Sequence, residues 1–340
     1  MKTFAISVLC LLSTITPLHA QTDVNPKDYK TYTKATLNIR DPFILPVKAT
    51  GTYYMYRTSS VKDAGGNLIG GVEVFKSKDL KKWEGPTEVC RLPKDNWSRG
   101  YVWAPEVHEY NGKYYLFATV NSDVVWKGKR ANWPDYIWRA TQIFKADTPE
   151  GPFRALSQDP STPLGQMALD GTLWVDNGKP YMVYCHEWVE TEDGEICALP
   201  MKQDLSGADG QPIKLFNASA APWTTPSGSA EDNTIHYVTD GCFLYKTKTG
   251  KLLMIWSSFI NDRYAIGIAE STTGRVTGPW RQQAEPLFKE HGGHAMIFRS
   301  FDNRLCLLFH QPNSPDGAER AHIYEIEDMG NTLKLKGEMK

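Results

Sequence analysis

The chain of 340 residues carries 38 basic and 39 acidic side chains, and 41% of it is hydrophobic. Enough apolar surface is present to offset chain entropy, which excludes a disordered chain; a formal net charge of −1 excludes a partner gripped through its phosphates, nucleic acid above all. Eleven Trp, 16 Tyr and 13 Phe beside 27 Gly and 21 Pro point to short strands and tight turns, not to a helical bundle.

At the start, Lys2 precedes an apolar run from Phe4 to Ile15, and His19-Ala20 precedes Gln21. This is the pattern of a secretory signal cut after Ala20, since the run is too short to span a bilayer and no stop-transfer pattern follows. The expectation is an exported protein, periplasmic or extracellular, with no membrane span and a single domain over residues 21–340. Beyond the signal lie five cysteines, Cys90, Cys185, Cys197, Cys242 and Cys306, with no CxxC pair. They read as small buried residues, although Cys185 and Cys197 could bridge across a hairpin.

One phrase then recurs along the chain: Gly51-Thr-Tyr-Tyr-Met-Tyr, Gly112-Lys-Tyr-Tyr-Leu-Phe, Gly178-Lys-Pro-Tyr-Met-Val, Gly250-Lys-Leu-Leu-Met-Ile and Asn303-Arg-Leu-Cys-Leu-Leu. Each is a turn residue followed by a strand. A short strand opening on a polar residue precedes each phrase, beginning near Asp41, Ala104, Asp170, Asp240 and His294. A third strand follows each, at Val72–Lys76, Gln142–Lys145, Ile196–Leu199, Ala265–Ala269 and Ala321–Glu325. Five copies of this unit, closed by turn signals such as Trp83-Glu-Gly-Pro, describe an all-β, five-bladed β-propeller.

In a propeller the first strand of each blade lines the axis. The repeat therefore gathers Asp41, Asp170, Asp240 and His294 at equivalent positions around one funnel, with Trp103 and Glu106 from blade two. Carboxylates converging on one pocket push their pKa values apart, which acid–base chemistry on a single substrate requires. Between Asn121 and Arg139 an insertion carries Trp126, Trp133, Tyr136 and Trp138. It forms either a wall for stacking sugar rings or a satellite hydrophobic cluster under a long loop. Arg263, opening blade four's third strand, could reach a substrate hydroxyl or carboxylate.

These motifs resemble glycoside hydrolase family 43, the propeller arabinofuranosidases, xylosidases and arabinanases, over nearly the whole chain after residue 20. Asn38-Ile-Arg-Asp-Pro-Phe-Ile is similar to the family's first-blade motif, which implies that Asp41 is the general base. Tyr101-Val-Trp-Ala-Pro-Glu-Val resembles its second-blade signature. Ala168-Leu-Asp-Gly-Thr-Leu-Trp resembles the third-blade motif and implies that Asp170 tunes the acid's pKa. Gly292-Gly-His-Ala-Met-Ile-Phe resembles the fifth-blade segment, which implies a calcium ion on the axis, reached by His294 through water. The expected substrate contacts are Phe43, Trp103, Glu106, Trp174 and Arg263.

Blade four departs from the family. Where a Glu-Gly-Pro usually supplies the general acid, this chain reads Thr239-Asp240-Gly241-Cys242. Asp240 is the favoured acid because it holds the register of the repeat, with Glu187 of Cys185-His-Glu-Trp188 as the alternative; Glu231 and Asp232 are weaker candidates. The resemblance implies a monomeric, inverting hydrolase of oligo- or polysaccharides built from α-L-arabinofuranosyl or β-D-xylosyl units. The competing reading is a carbohydrate-binding propeller that has lost its acid and does not cleave.

Overall fold

The computed structural model describes residues 30–339. The expected signal segment, residues 1–20, lies outside the described residues. Five antiparallel blades follow one another along the chain, each running from the axis outward. Blade one holds β2 (Phe43–Val47), β3 (Thr52–Lys62), β4 (Leu68–Ser77) and β5 (Lys82–Arg91), with β1 (Lys30–Thr33) added outside β5. Blade two holds β6 (Val102–Tyr110), β7 (Lys113–Val125), β8 (Ile137–Ala146) and the short β9 (Arg154–Ala155). Blade three holds β10 (Ala168–Asp176), β11 (Lys179–His186), β12 (Glu195–Pro200) and β13 (Ile213–Asn217), with a single helical turn α1 (Trp188–Thr191) after β11. Blade four is β14 (Asp240–Lys246), β15 (Leu252–Ile260), β16 (Arg263–Ser271) and β17 (Trp280–Gln282). Blade five is β18 (Gly293–Arg299), β19 (Leu305–Gln311), β20 (Arg320–Asp328) and β21 (Leu333–Glu338).

The second strands are apolar without alternation because both of their faces are covered by neighbouring blades. Thr52–Tyr56 of β3 and Leu252–Ser258 of β15 are buried throughout. The core accordingly sits between blades: Val183 and Cys185 of blade three pack with Met254 and Trp256 of blade four, and Ile255 of blade four with Leu307 and Phe309 of blade five. The phrase repeated in the sequence owes its turn residue to a backbone demand. Gly51, Gly112, Gly178, Gly250 and Asn303 all have positive φ at the turn between first and second strands. Only Gly, or Asn at some cost, enters that region readily.

The inner strands touch in a closed ring, β2 to β6, β10, β14, β18 and back to β2. In blades two to five each carries one extra residue near its start, between Trp103 and Glu106, Leu169 and Thr172, Asp240 and Phe243, and Gly293 and Met296. These bulges turn one residue per blade into the left-handed region: Ala104 (φ 42°), Asp170 (57°), Gly241 (46°) and His294 (53°). Asp41 (48°) takes the same place in blade one. Their amides then reach the preceding blade. Asp170 N–H donates to Thr119 Oγ1 (2.9 Å), His294 N–H to Ser257 Oγ (2.9 Å), and Asp41 N–H to His310 Nδ1 (3.3 Å), which closes the ring from blade five to blade one.

Two expectations are corrected here. Gly241, not Asp240, is the structural equivalent of Asp41, Asp170 and His294; Asp240 stands one residue earlier, level with Leu169 and Gly293. Cys185 and Cys197 do not bridge. Cys185 pairs with Ile196 and Cys197 with Tyr184, so the two thiols emerge on opposite faces of blade three, and all five cysteines described are free and buried.

Candidate active site

A pocket of about 290 Å³ opens on the axis at the ends where the inner strands begin, lined by Arg40, Asp41, Trp103, Asp170, Glu187, Trp188 and Asp240. The left-handed conformations at Asp41, Asp170 and His294 aim those side chains at one another; such strain of order 1–3 kcal/mol per residue persists where surrounding structure enforces it. His294 Nδ1 lies 3.3 Å from Asp41 Oδ1, 3.3 Å from Asp240 Oδ1 and 4.0 Å from Asp170 Oδ2. Burial opposes a charge on this imidazole, but the three carboxylates outweigh it and hold it as an imidazolium.

Each carboxyl group meets a different environment. Burial would push Asp41 up, yet the His294 imidazolium and the Arg40 guanidinium keep it below the usual carboxylate range, as an anion. Asp170 is raised well above that range by burial and by the neighbouring Asp240. Asp240 goes the other way: burial is overcome by His294, by a hydrogen bond shared with Asp170, and by the Tyr264 hydroxyl, which donates to Oδ2 at 2.5 Å. Glu187 caps the start of α1 with its backbone, and its side chain is buried at the pocket wall. Burial pushes its carboxyl group up to about 7; Arg139 opposes that shift and Asp240 adds to it.

Of the expected substrate contacts, the pocket takes Trp103 only. Phe43 and Glu106 fall two residues past the left-handed position of their blades, one pleat further down the axis. Phe43 lies edge-on to His108 and lines a cavity at the opposite mouth with Phe243 and Met296. Glu106 is buried against His108 Nε2 at 2.8 Å. Trp174 packs against the core between blades three and four. Arg263 points out to pair with Glu290, because strand alternation turns its neighbour Tyr264 inward instead. Glu231 and Asp232 are exposed and outside the pocket lining.

The insertion does not wall the pocket. Trp133 is buried with Met167 and Val189, and Trp126, Tyr136 and Trp138 pack around them as a satellite core. That core supports Trp188, which stacks on His236 at 3.9 Å and does line the pocket. Sequence reasoning passed over Trp188, Tyr264, His310 and Arg139. The signal for His310 lay in its position on a second strand, level with Thr119 and Ser257 of blades two and four.

Among the described residues, Asp170, Asp240 and His294 bring ligand atoms within 4.8 Å of one another. Calcium takes about six to eight oxygen ligands, waters included; for an ion reached by His294 through water, the oxygen groups around that imidazole are the carboxylates of Asp41, Asp170 and Asp240.

A pocket of converging carboxyl groups at the mouth of a five-bladed propeller, with Trp103 and Trp188 in its wall, defines a glycoside hydrolase. Residues 34–326 match the model of glycosyl hydrolases family 43, and the chain belongs to that family. It is 40% identical to an endo-arabinase of Bacteroides thetaiotaomicron whose structure is solved, with a TM-score of 0.75 over 87% of this chain and 96% of that one. It is 24% identical to an extracellular exo-α-(1→5)-L-arabinofuranosidase of Streptomyces avermitilis, over 92% of this chain and 63% of the relative, so it spans less than two thirds of that enzyme's length. An extracellular endo-α-(1→5)-L-arabinanase of Bacillus subtilis is 22% identical over 75% of this chain and 71% of its own. Among the described residues no helix is long and apolar enough to cross a membrane.

Proposed function

We propose that the protein is an exported, inverting hydrolase of arabinose-containing plant glycans, with Asp41 as the base and Glu187, not Asp240, as the acid. The observation that carries this reading is a difference in protonation within one pocket: Asp41 is held as an anion while Glu187 keeps its proton up to about pH 7. Asp240, gripped by Tyr264 and His294, is a poor proton donor. Arabinose is favoured over xylose by the names of the relatives, and export by the extracellular location that two of them carry.

In this reading Glu187 gives its proton to the glycosidic oxygen as that C–O bond breaks. Asp41 takes a proton from the water that attacks the anomeric carbon from the opposite face, so the product forms with inverted configuration. Inversion needs room for that water, with carboxyl groups roughly 6.5–9.5 Å apart. Asp41 then loses its proton to solvent and Glu187 regains one. The test is hydrolysis of linear α-1,5-arabino-oligosaccharides beside xylo-oligosaccharides, with the first-formed anomer read by NMR. Cleavage of xylo-oligosaccharides alone, or a retained anomer, overturns the proposal; binding without cleavage of either favours a carbohydrate-binding propeller.

A further inference from the structure

Arg139, the third residue of β8, stands at the end of the insertion and pairs with Asn121 of β7. Its side chain is largely buried, with its Nε–H donated to the Ile137 carbonyl at 3.3 Å and Nε 3.2 Å from Glu187 Oε2. The guanidinium carbon also sits 4.7 Å above the ring of Trp103, the exposed tryptophan of the pocket wall. One side chain thus touches both the aromatic wall and the carboxyl group assigned as the acid. The guanidinium makes no aligned hydrogen bond to Glu187, whose Oε2 is buried and accepts none. A carboxyl group so placed is steered without being captured.

We propose that Arg139 is the positioning residue of the proton donor: stacked on Trp103, it holds Glu187 at the pocket wall. The proposal rests on the assignment of Glu187 as the acid. The charged groups that face Glu187 come from four elements: Arg139 of β8, Asp240 of β14, Glu190 of α1 and His186 of β11. Burial and the two acids favour the protonated form, whereas Arg139 and His186 oppose it. Arg139 is the cation in direct contact, so its loss should leave the acid too weak and free to turn. Lysine would keep the charge but offer no planar face to Trp103.

The test is the pH dependence of kcat/KM on an arabino-oligosaccharide for the wild type, Arg139→Gln and Arg139→Lys, with folding checked by circular dichroism. Arg139→Gln should move the alkaline limb up by about one pH unit or more, with kcat at least about tenfold lower. Arg139→Lys should return the limb towards its wild-type position while kcat stays reduced. A folded Arg139→Gln variant with an unmoved alkaline limb overturns the proposal. If that variant does not fold, a wild-type kcat in Arg139→Lys overturns it instead. Glu187→Gln is measured alongside: wild-type cleavage of the oligosaccharide by that variant would sink the acid assignment, whatever Arg139 does.

Discussion

The phenolic hydroxyl of Tyr264 donates to Asp240 Oδ2 at 2.5 Å, and this bond fixes the Asp240 carboxylate beside the pocket as an anion. The two candidate acids therefore separate by leaving group. Glu187→Gln should spare an aryl glycoside with an acidic leaving group, which needs little protonation, and cripple the oligosaccharide. Asp240→Asn removes an anion that raises the affinity of Glu187 for its proton, so it should shift the alkaline limb downward. Rate measurements on both substrates decide; if Asp240→Asn alone shows the leaving-group split, the acid is Asp240.

Asp41→Asn should lower turnover by about 10³-fold or more on both substrates, because no leaving group replaces an activated water. The carboxylate sits below its usual range in the wild type, so the acidic limb of the pH profile should fall below pH 4. A variant that keeps appreciable turnover on the aryl substrate would count against Asp41 as the base.

His186 lies between Glu190 (3.1 Å) and Glu195 (3.0 Å), which overcome the burial penalty and raise its pKa from 6.5 to about 9. A cation whose pKa is raised by folding stabilises the fold fully below its unfolded value and loses that contribution as pH rises through its folded value. The Tm gap between wild type and His186→Gln should be widest below pH 6.5 and close above about pH 9. Thermal melts at a series of pH values would show it, and a gap independent of pH would contradict the ion-pair account.

Gly241 has φ 46°, and a β-carbon on it would fall 2.7 Å from His294 Cγ and 2.8 Å from His294 Cα. Gly241→Ala should cost about 2–4 kcal/mol of stability and push the imidazole off its carboxylates. Denaturant unfolding measures the first effect and kcat the second. A stable, fully active alanine variant would refute the packing described here.

The five blades were legible because each repeats a turn with positive φ and an apolar second strand, and both demands act locally on residue type. Local pattern says less about the bulge. Asp170-Gly171 and Asp240-Gly241 look alike, yet the left-handed residue is the Asp in one and the Gly in the other. A side chain at either glycine would collide with its neighbours, Met182 and Thr141 at 171 and His294 at 241, so crowding alone does not tell the two apart. The same limit explains Arg263 and Tyr264: one residue of register decides which faces the axis. Phe43, Glu106 and Trp174 were chosen by residue type, and depth along the axis is not written in type. Glu187 stands only as an alternative because it follows a second strand, outside the repeat that nominates the aspartates.

The contact between His310 and Asp41 joins the last blade to the first, and Asn38 and Arg40 hold the same junction through Glu319 and Asn313. Asp41, the proposed base, is thus mounted on the seam where the last blade meets the first. Loosening of this junction would displace Asp41 even while the other four inter-blade boundaries hold. Inactivation should then run ahead of melting, and a covalent clasp across that boundary would lengthen working life at high temperature without touching Trp103 or Trp188 of the pocket wall.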